Sequence, residues 1–238
     1  YLIYRATGYY SAPDVERAFT DRGAQLHADL APDYDKDTCL LVTTRTYNFG
    51  GHTRLIERWV EMDSARKYSL LVLNGSVLTN RLYEAVRKSG GVVLDLSSEE
   101  NDVVKAMRLR SIASKFESVL LFLLDMDVVP LLAFGSVEFK RPVGLYNHID
   151  HLFWTGVSVA DLIADMRSWG KDFSCKYRGF ADSMTIPVPV EENLIGEVLS
   201  KKDARKELNL EEYEFVVVSC GREMKYRDIG TGTFMDYA

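Results

Sequence analysis

Short apolar runs alternate along this chain with stretches whose apolar residues recur at helical spacing. The run Cys39-Leu40-Leu41-Val42-Thr43-Thr44, opening at Thr38, is continuous and rich in β-branched residues, which predicts a strand buried on both faces. After a loop, Leu55, Ile56, Trp59 and Val60 predict an amphipathic helix beginning near Gly51. The unit then repeats. Ser69–Leu73 reads as a second strand, followed by a helix that Thr79 caps, that carries Leu82, Ala85 and Val86, and that stops at Gly90-Gly91. Gly91–Leu96 reads as a third strand, and Ser97-Ser98-Glu99-Glu100 as the opening of a helix running to about Phe116. Ser118–Leu124 is the fourth and most hydrophobic strand, with a turn after it. Pro142–Asn147 is the fifth, followed by a helix over Val159–Trp169.

Strands alternating with helices at this spacing predict right-handed crossovers and a parallel sheet covered on both sides, a Rossmann-like doubly wound α/β domain. The pattern breaks at Ile186-Pro187-Val188-Pro189-Val190, because two prolines in five residues cannot belong to a central strand. A charged helix over Lys201–Leu208, with Ser200 as its cap, and a buried strand at Phe215–Ser219 then start a second Rossmann-like domain. Residues 38–190 are therefore expected to be one domain and 191–238 a linker with the beginning of another. Residues 1–37, polar and aromatic with a helix-like run over Ala12–Leu26, read as an amino-terminal extension. The chain begins at Tyr1 and closes on a helix-like Phe234-Met235-Asp236-Tyr237-Ala238, which reads as a piece of a longer protein.

Composition narrows the class. A hydrophobic share of 47% with 27% charged residues belongs to an ordinary globular protein. A formal net charge of −6 argues against non-specific nucleic-acid binding, which needs a basic surface. Cys39, Cys175 and Cys220 are odd in number and form no Cys-x-x-Cys pair, so neither a zinc site nor a redox dithiol is expected, and a reducing cytoplasm fits. Val119–Phe134 contains Asp125, Asp127 and Pro130, whereas a membrane span needs roughly 20 nearly uncharged residues.

In an open parallel sheet, ligands bind outside the carboxyl ends of the strands. Tyr47-Asn48-Phe49-Gly50-Gly51-His52-Thr53-Arg54 lies at one such end, where glycines let the backbone approach an anion at a helix start. It is neither Gly-x-Gly-x-x-Gly nor a Walker A loop, and a Gly-Gly turn also serves as plain turn chemistry. Leu145-Tyr146-Asn147-His148-Ile149-Asp150-His151 lies at another, where a histidine can hydrogen-bond substrate or shuttle a proton, or simply bond the backbone. The spacing of His148, Asp150 and His151 does not stack ligands on one helical face, so no metal site is expected. Asp125 and Asp127 follow the fourth strand and could act as a pair of carboxylates, although residues flanking a strand end are usually just solvated. Gly221-Arg222-Glu223-Met224-Lys225 offers a planar fork and a mobile point charge, both suited to a diphosphate.

Taken in order, these segments resemble a GT-B glycosyltransferase of the family 4 type and its bacterial polysaccharide-assembly relatives, in which two Rossmann-like domains face each other across the active site. The Gly50-Gly51 loop resembles that family's glycine-rich loop facing the donor phosphates, with His52 and Arg54 as departures from its general pattern. Arg141-Pro142-Val143-Gly144-Leu145-Tyr146-Asn147-His148 resembles its strand ending in a histidine beside the donor sugar. The resemblance covers residues 38 to 238. It implies His148 and Asp150 as catalytic residues, and Gly50, Gly51, His52, Arg222 and Lys225 as contacts of the donor phosphates or substrate. It further implies a nucleotide sugar as donor substrate with no other cofactor, a glycan or lipid-linked acceptor, retention of configuration, and peripheral contact with a membrane where the acceptor is a lipid. The chain alone, lacking most of the second domain, is expected to fold without activity. The alternatives are a nucleotide-sugar epimerase on the same fold, or a non-catalytic module that binds a nucleotide or a protein.

Overall fold

In the computed structural model, which describes residues 8–48, 50–75, 77–124, 126–190, 198–219, 221, 226 and 236, the apolar runs become one sheet. In chain order the elements are α1 (Pro13–Ala24), β1 (Asp35–Thr43), α2 (Gly51–Met62), β2 (Lys67–Val72), α3 (Asn80–Lys88), β3 (Val93–Asp95) and α4 (Asp102–Ala113). There follow β4 (Phe116–Phe122), α5 (Val129–Phe134), β5 (Val143–Asn147), β6 (Leu162–Asp165), α6 (Ser168–Arg178), β7 (Ser183–Thr185) and α7 (Lys201–Glu207). The seven strands lie in the order β3-β2-β1-β4-β5-β6-β7, and every pairing is parallel. This is a Rossmann-like, doubly wound α/β fold. The chain divides into two compact units, Tyr1–Val190 and Glu191–Ala238.

The strands are buried because both faces are covered. Leu40, Val42, Leu71, Val119 and Leu121 pack on one face with Leu109 of α4 and Leu131 of α5. Leu41, Leu70, Val72 and Phe122 pack on the other with Leu55 and Ile56 of α2 and Leu82 of α3. Alternate residues of one strand thus feed two cores, as the pleat requires. Thr79 caps α3 by accepting the Leu82 N–H at 3.1 Å. Capping of this kind is worth about 1 kcal/mol.

Several elements differ from the sequence expectation. The helix expected from Ser97 starts at α4, because the Asn101 side chain accepts the Val103 and Val104 N–H groups and sets the first turn there. The turn expected after the fourth strand is followed by a helix, α5, whose Pro130 stands in the first turn, where its missing N–H costs nothing. Val159–Trp169 is no helix. Leu162–Asp165 is the strand β6, paired with β5, and the helix α6 begins only at Ser168. Residues 215–219 form no strand either: Phe215 is 82% and Val218 84% exposed, and no described residue of the second unit offers these residues a ladder. There the apolar pattern has no strand to pair with among the described residues. In that unit Ser200 does cap α7, accepting the Asp203 N–H at 3.1 Å.

The segment read as an extension is part of the first unit. The α1 helix packs on α5, and its Glu16 is buried, accepting the N–H groups of Gly156 at 3.0 Å and Ser158 at 2.8 Å. The buried Arg110 guanidinium of α4 donates to the carbonyls of Gly23 and Leu26 on one side and of Leu132 and Ala133 on the other. Those bonds tie residues 23–26 into the core, which the polar look of the segment conceals. Among the described residues no helix is long and apolar enough to cross a membrane.

Candidate functional site

The loop leaving β1 folds back on the start of α2. Gly50 caps that helix at φ 138°, in a region that side chains rarely adopt, so glycine is required there by the backbone itself. Among the described residues no side chain caps α2, so its first-turn N–H groups have no side-chain acceptor and are candidate anion donors. The loop is closed by the Tyr47 N–H donating to Thr53 Oγ1 at 2.8 Å. Beside it lies a cleft of about 440 Å³ lined by Asn48, Gly50, Gly51, Arg54, Glu57 and Arg81, among others. Glu57, buried in the helix, holds Arg54 at 2.8 Å and the Thr79 hydroxyl at 2.5 Å, so Arg54 is tethered at the cleft wall.

His52 sits one residue into α2 and reaches back to the end of β1, where its Nε2 lies 2.8 Å from Thr43 Oγ1. Its ring packs against that of His148, at the carboxyl end of β5, with centroids 4.5 Å apart and planes tilted by 36°. His148 Nδ1 lies 3.4 Å from the Tyr146 carbonyl. The structure thus brings the glycine loop and His148 to one edge of the sheet, with His52 between them. His52 Nδ1 and His148 Nε2 are buried and have no hydrogen-bond partner among the described residues. Burial, then the neighbouring His148, lowers the His52 pKa to about 3, against a weaker opposing bond to the Arg45 backbone. Burial likewise lowers that of His148. At neutral pH both rings are uncharged: they can bond hydroxyls, but they lend no positive charge to a phosphate.

Asp150 does not join this pair. It is fully buried, and its two oxygens accept from Arg167 Nε at 2.6 Å and Nη2 at 2.9 Å. Burial pushes its pKa up, but the hydrogen bonds and charge of Arg167 outweigh it, and the carboxyl titrates below its usual range. Its backbone carbonyl accepts from Arg178 at 2.8 Å. Nearby, Asp165 accepts from Asn147 Nδ2 at 2.6 Å, Ser174 Oγ at 3.0 Å and the Ser183 hydroxyl. Arg222 and Lys225 lie outside the described residues, as does Asp125. Among the described residues no group of three or more His, Cys, Asp or Glu side chains is placed to hold a metal ion.

Asp127 is the residue that the sequence reading misplaced. It is 7% exposed, far from a solvated carboxylate. Its Oδ1 accepts the Val129 N–H at 3.1 Å, while Oδ2 is buried without a partner among the described residues. Burial raises its pKa, against the opposing pull of Thr44 and the Val129 N–H. The available signal was Asp127 standing three residues before Pro130, an Asx-type turn leading into a helix start. Compared with models of known protein families and with curated protein sequences, the chain matches none.

Proposed function

We propose that this chain is the amino-terminal, acceptor-side portion of a retaining GT-B glycosyltransferase, which moves a sugar from a nucleotide-sugar donor to a glycan or lipid-linked acceptor in the cytoplasm. The observation that carries the reading is the contact of His148 with His52, which puts the end of β5 and the glycine loop after β1 at one mouth of the sheet. Had the two opened onto different faces, no common ligand could touch both.

In this reading the uncharged His148 exchanges a hydrogen bond with a hydroxyl of the transferred sugar. The unpartnered His148 Nε2 is the atom free for it, once the sugar displaces the packing that covers it. The first-turn amides of α2 face the departing diphosphate. The two neutral histidines do not supply the positive charge that a diphosphate calls for. Donors fixed before the reaction, opposing charge that develops in a water-poor cleft, are commonly the largest catalytic contribution. Each helix-terminus contribution is only about 0.3–1 kcal/mol, so several must converge. Asp150 acts at one remove, because both of its oxygens are taken by Arg167.

The test uses the full-length protein with a panel of nucleotide sugars, with and without glycan and lipid-linked acceptors, and reads release of nucleoside diphosphate and the product formed. Acceptor-dependent release is expected with at least one donor. His148→Ala is expected to lower turnover by about 100-fold or more while the thermal midpoint holds. Turnover of His148→Ala equal to wild type, or no release with any pair, rejects the assignment. A changed sugar released without any acceptor identifies an epimerase instead.

A further inference from the structure

We propose that the crevice between the carboxyl ends of β1 and β4 binds the vicinal diol of a sugar ring. The chain runs outward from β1 to β3 and then returns to lay β4 against the other side of β1. Where strand order reverses in this way, the loops leaving the two strands part to opposite sides and open a crevice. Here it holds about 350 Å³ and is lined by Thr44, Arg45, Tyr47, Asn74, Met126 and Asp127, among others. It is separate from the cleft beside Gly50 and Gly51, and its lining includes neither His52 nor His148.

Asp127, a residue of the crevice lining, carries an unmet acceptor that is itself covered. Asp127 Oδ1 is fixed by the Val129 N–H, which orients the carboxyl, and Oδ2 is buried with no hydrogen-bond partner among the described residues. Buried polar atoms are paired in the great majority of cases, and an exception beside a cavity calls for a partner from outside the chain. That partner must donate a hydrogen. An anion would meet the carboxylate with like charge, and an apolar molecule would leave it unpaired.

A second group narrows the choice. Asn74, at the end of β2, has its Oδ1 held by the Lys105 ammonium at 2.6 Å, which leaves its NH2 as the donor for anything else in the crevice. Thr44 also lines the crevice, but its hydroxyl oxygen already accepts the Leu124 N–H at 3.1 Å. A ligand that meets both side chains must therefore donate to Asp127 and accept from Asn74, two residues lining one crevice. Adjacent hydroxyls on a sugar ring do so, since each gives one hydrogen and offers two lone pairs. Tyr47 and the exposed Met126 supply less polar surface for the ring's carbon face, and Arg45 stands exposed at the margin.

Such diols come from two sources, the ribose of a nucleoside or a free glycoside. The site does not rest on the transferase reading: diphosphate release tests that one, and ligand binding to this chain tests this one. Calorimetric and ligand-observed NMR titrations would use the methyl glycosides of glucose, galactose and mannose in one arm. Adenosine and uridine form the other, with 2′,3′-dideoxyuridine as the nucleoside lacking the diol. Saturable binding is expected in at least one arm; binding of uridine, if seen, must be lost in the dideoxy compound. Asp127→Asn is expected to weaken binding at least tenfold while its thermal midpoint holds or rises. Asn74→Ala, on a different strand end, is expected to weaken the same binding, and it decides the matter if Asp127→Asn fails to fold. Binding in neither arm, equal binding of the dideoxy compound, or affinity indifferent to these substitutions overturns the proposal.

Discussion

Two polar centres lie at the carboxyl ends of neighbouring strands, and they are built on opposite terms. On the α6 side, each oxygen of Asp150 and Asp165 has a donor: Arg167 for the first, and Asn147, Ser174 and Ser183 for the second. On the α2 side, His52 and His148 press ring to ring, with one nitrogen of each facing no partner among the described residues. The carboxylates on the α6 side are satisfied and have little left to offer a ligand, although Asn147 Oδ1 beside them is buried without a partner among the described residues. An unsatisfied pair costs stability and keeps its bonding capacity in reserve. Acidic residues near a strand end are thus poor indicators of chemistry until their partners are counted.

Substitutions can break this contrast. The largest effect is expected from Asp165→Ala, which strands three buried donors at once and should cost on the order of 3 kcal/mol in urea unfolding. Acidification should come next and should act on the histidine pair. A histidine whose folded pKa is depressed contributes stability above its unfolded value, and that stability is lost as pH falls from about 6.5 toward the folded value. With His52 lowered to about 3, the loss from it at pH 5 should be on the order of 2 kcal/mol, and His52→Phe should flatten the pH dependence of unfolding between pH 6.5 and 4. An unchanged slope in that variant would mean that the ring is solvated after all.

Arg167→Ala should cost less than Asp165→Ala, since the arginine is exposed at its outer side. The depressed Asp150 carboxyl contributes stability above its unfolded pKa and loses it as pH falls through the folded one. The gap between wild type and Arg167→Ala should therefore close in acid and stand at full size near neutrality. The smallest effect is expected from Asp127→Asn. A carboxyl whose pKa is raised by folding destabilises the fold as pH climbs above the ordinary carboxylate range, so this variant should gain slightly on wild type from about pH 4 upward. A loss at neutral pH would show that Asp127 is better satisfied than its geometry indicates.

Much of the first unit was legible because its central strands are buried and its third helix starts at a recognisable cap. The run Cys39–Thr44 could be little else, and Thr79 announced α3. The failures have physical causes. In Val159–Trp169, apolar residues at positions 159, 162, 163 and 166 fit a helical stripe as well as a four-residue strand, and only pairing with β5 decides between them. Phe215–Ser219 carried the composition of a strand, but composition supplies no hydrogen-bonding neighbour. At the site, the sequence marked the position of His148 without the ring that lies against it, since no local pattern links residues 52 and 148. Nor could it tell that Asp150 is bound by Arg167 while Asp127 keeps one oxygen idle, because both are acids just beyond a strand.

The guanidinium of Arg110, wedged between the turn after α1 and the end of α5, makes residues 13–26 a keystone. A protease that clips ahead of Thr38 would carry off two of the four carbonyls that accept from it, along with the Glu16 carboxylate that pins residues 156–158. A cation would then be left facing a half-empty socket in the middle of the domain. Such a nick should collapse the unit as a whole, so shortening this chain from its front would act as an off-switch and not as a trim.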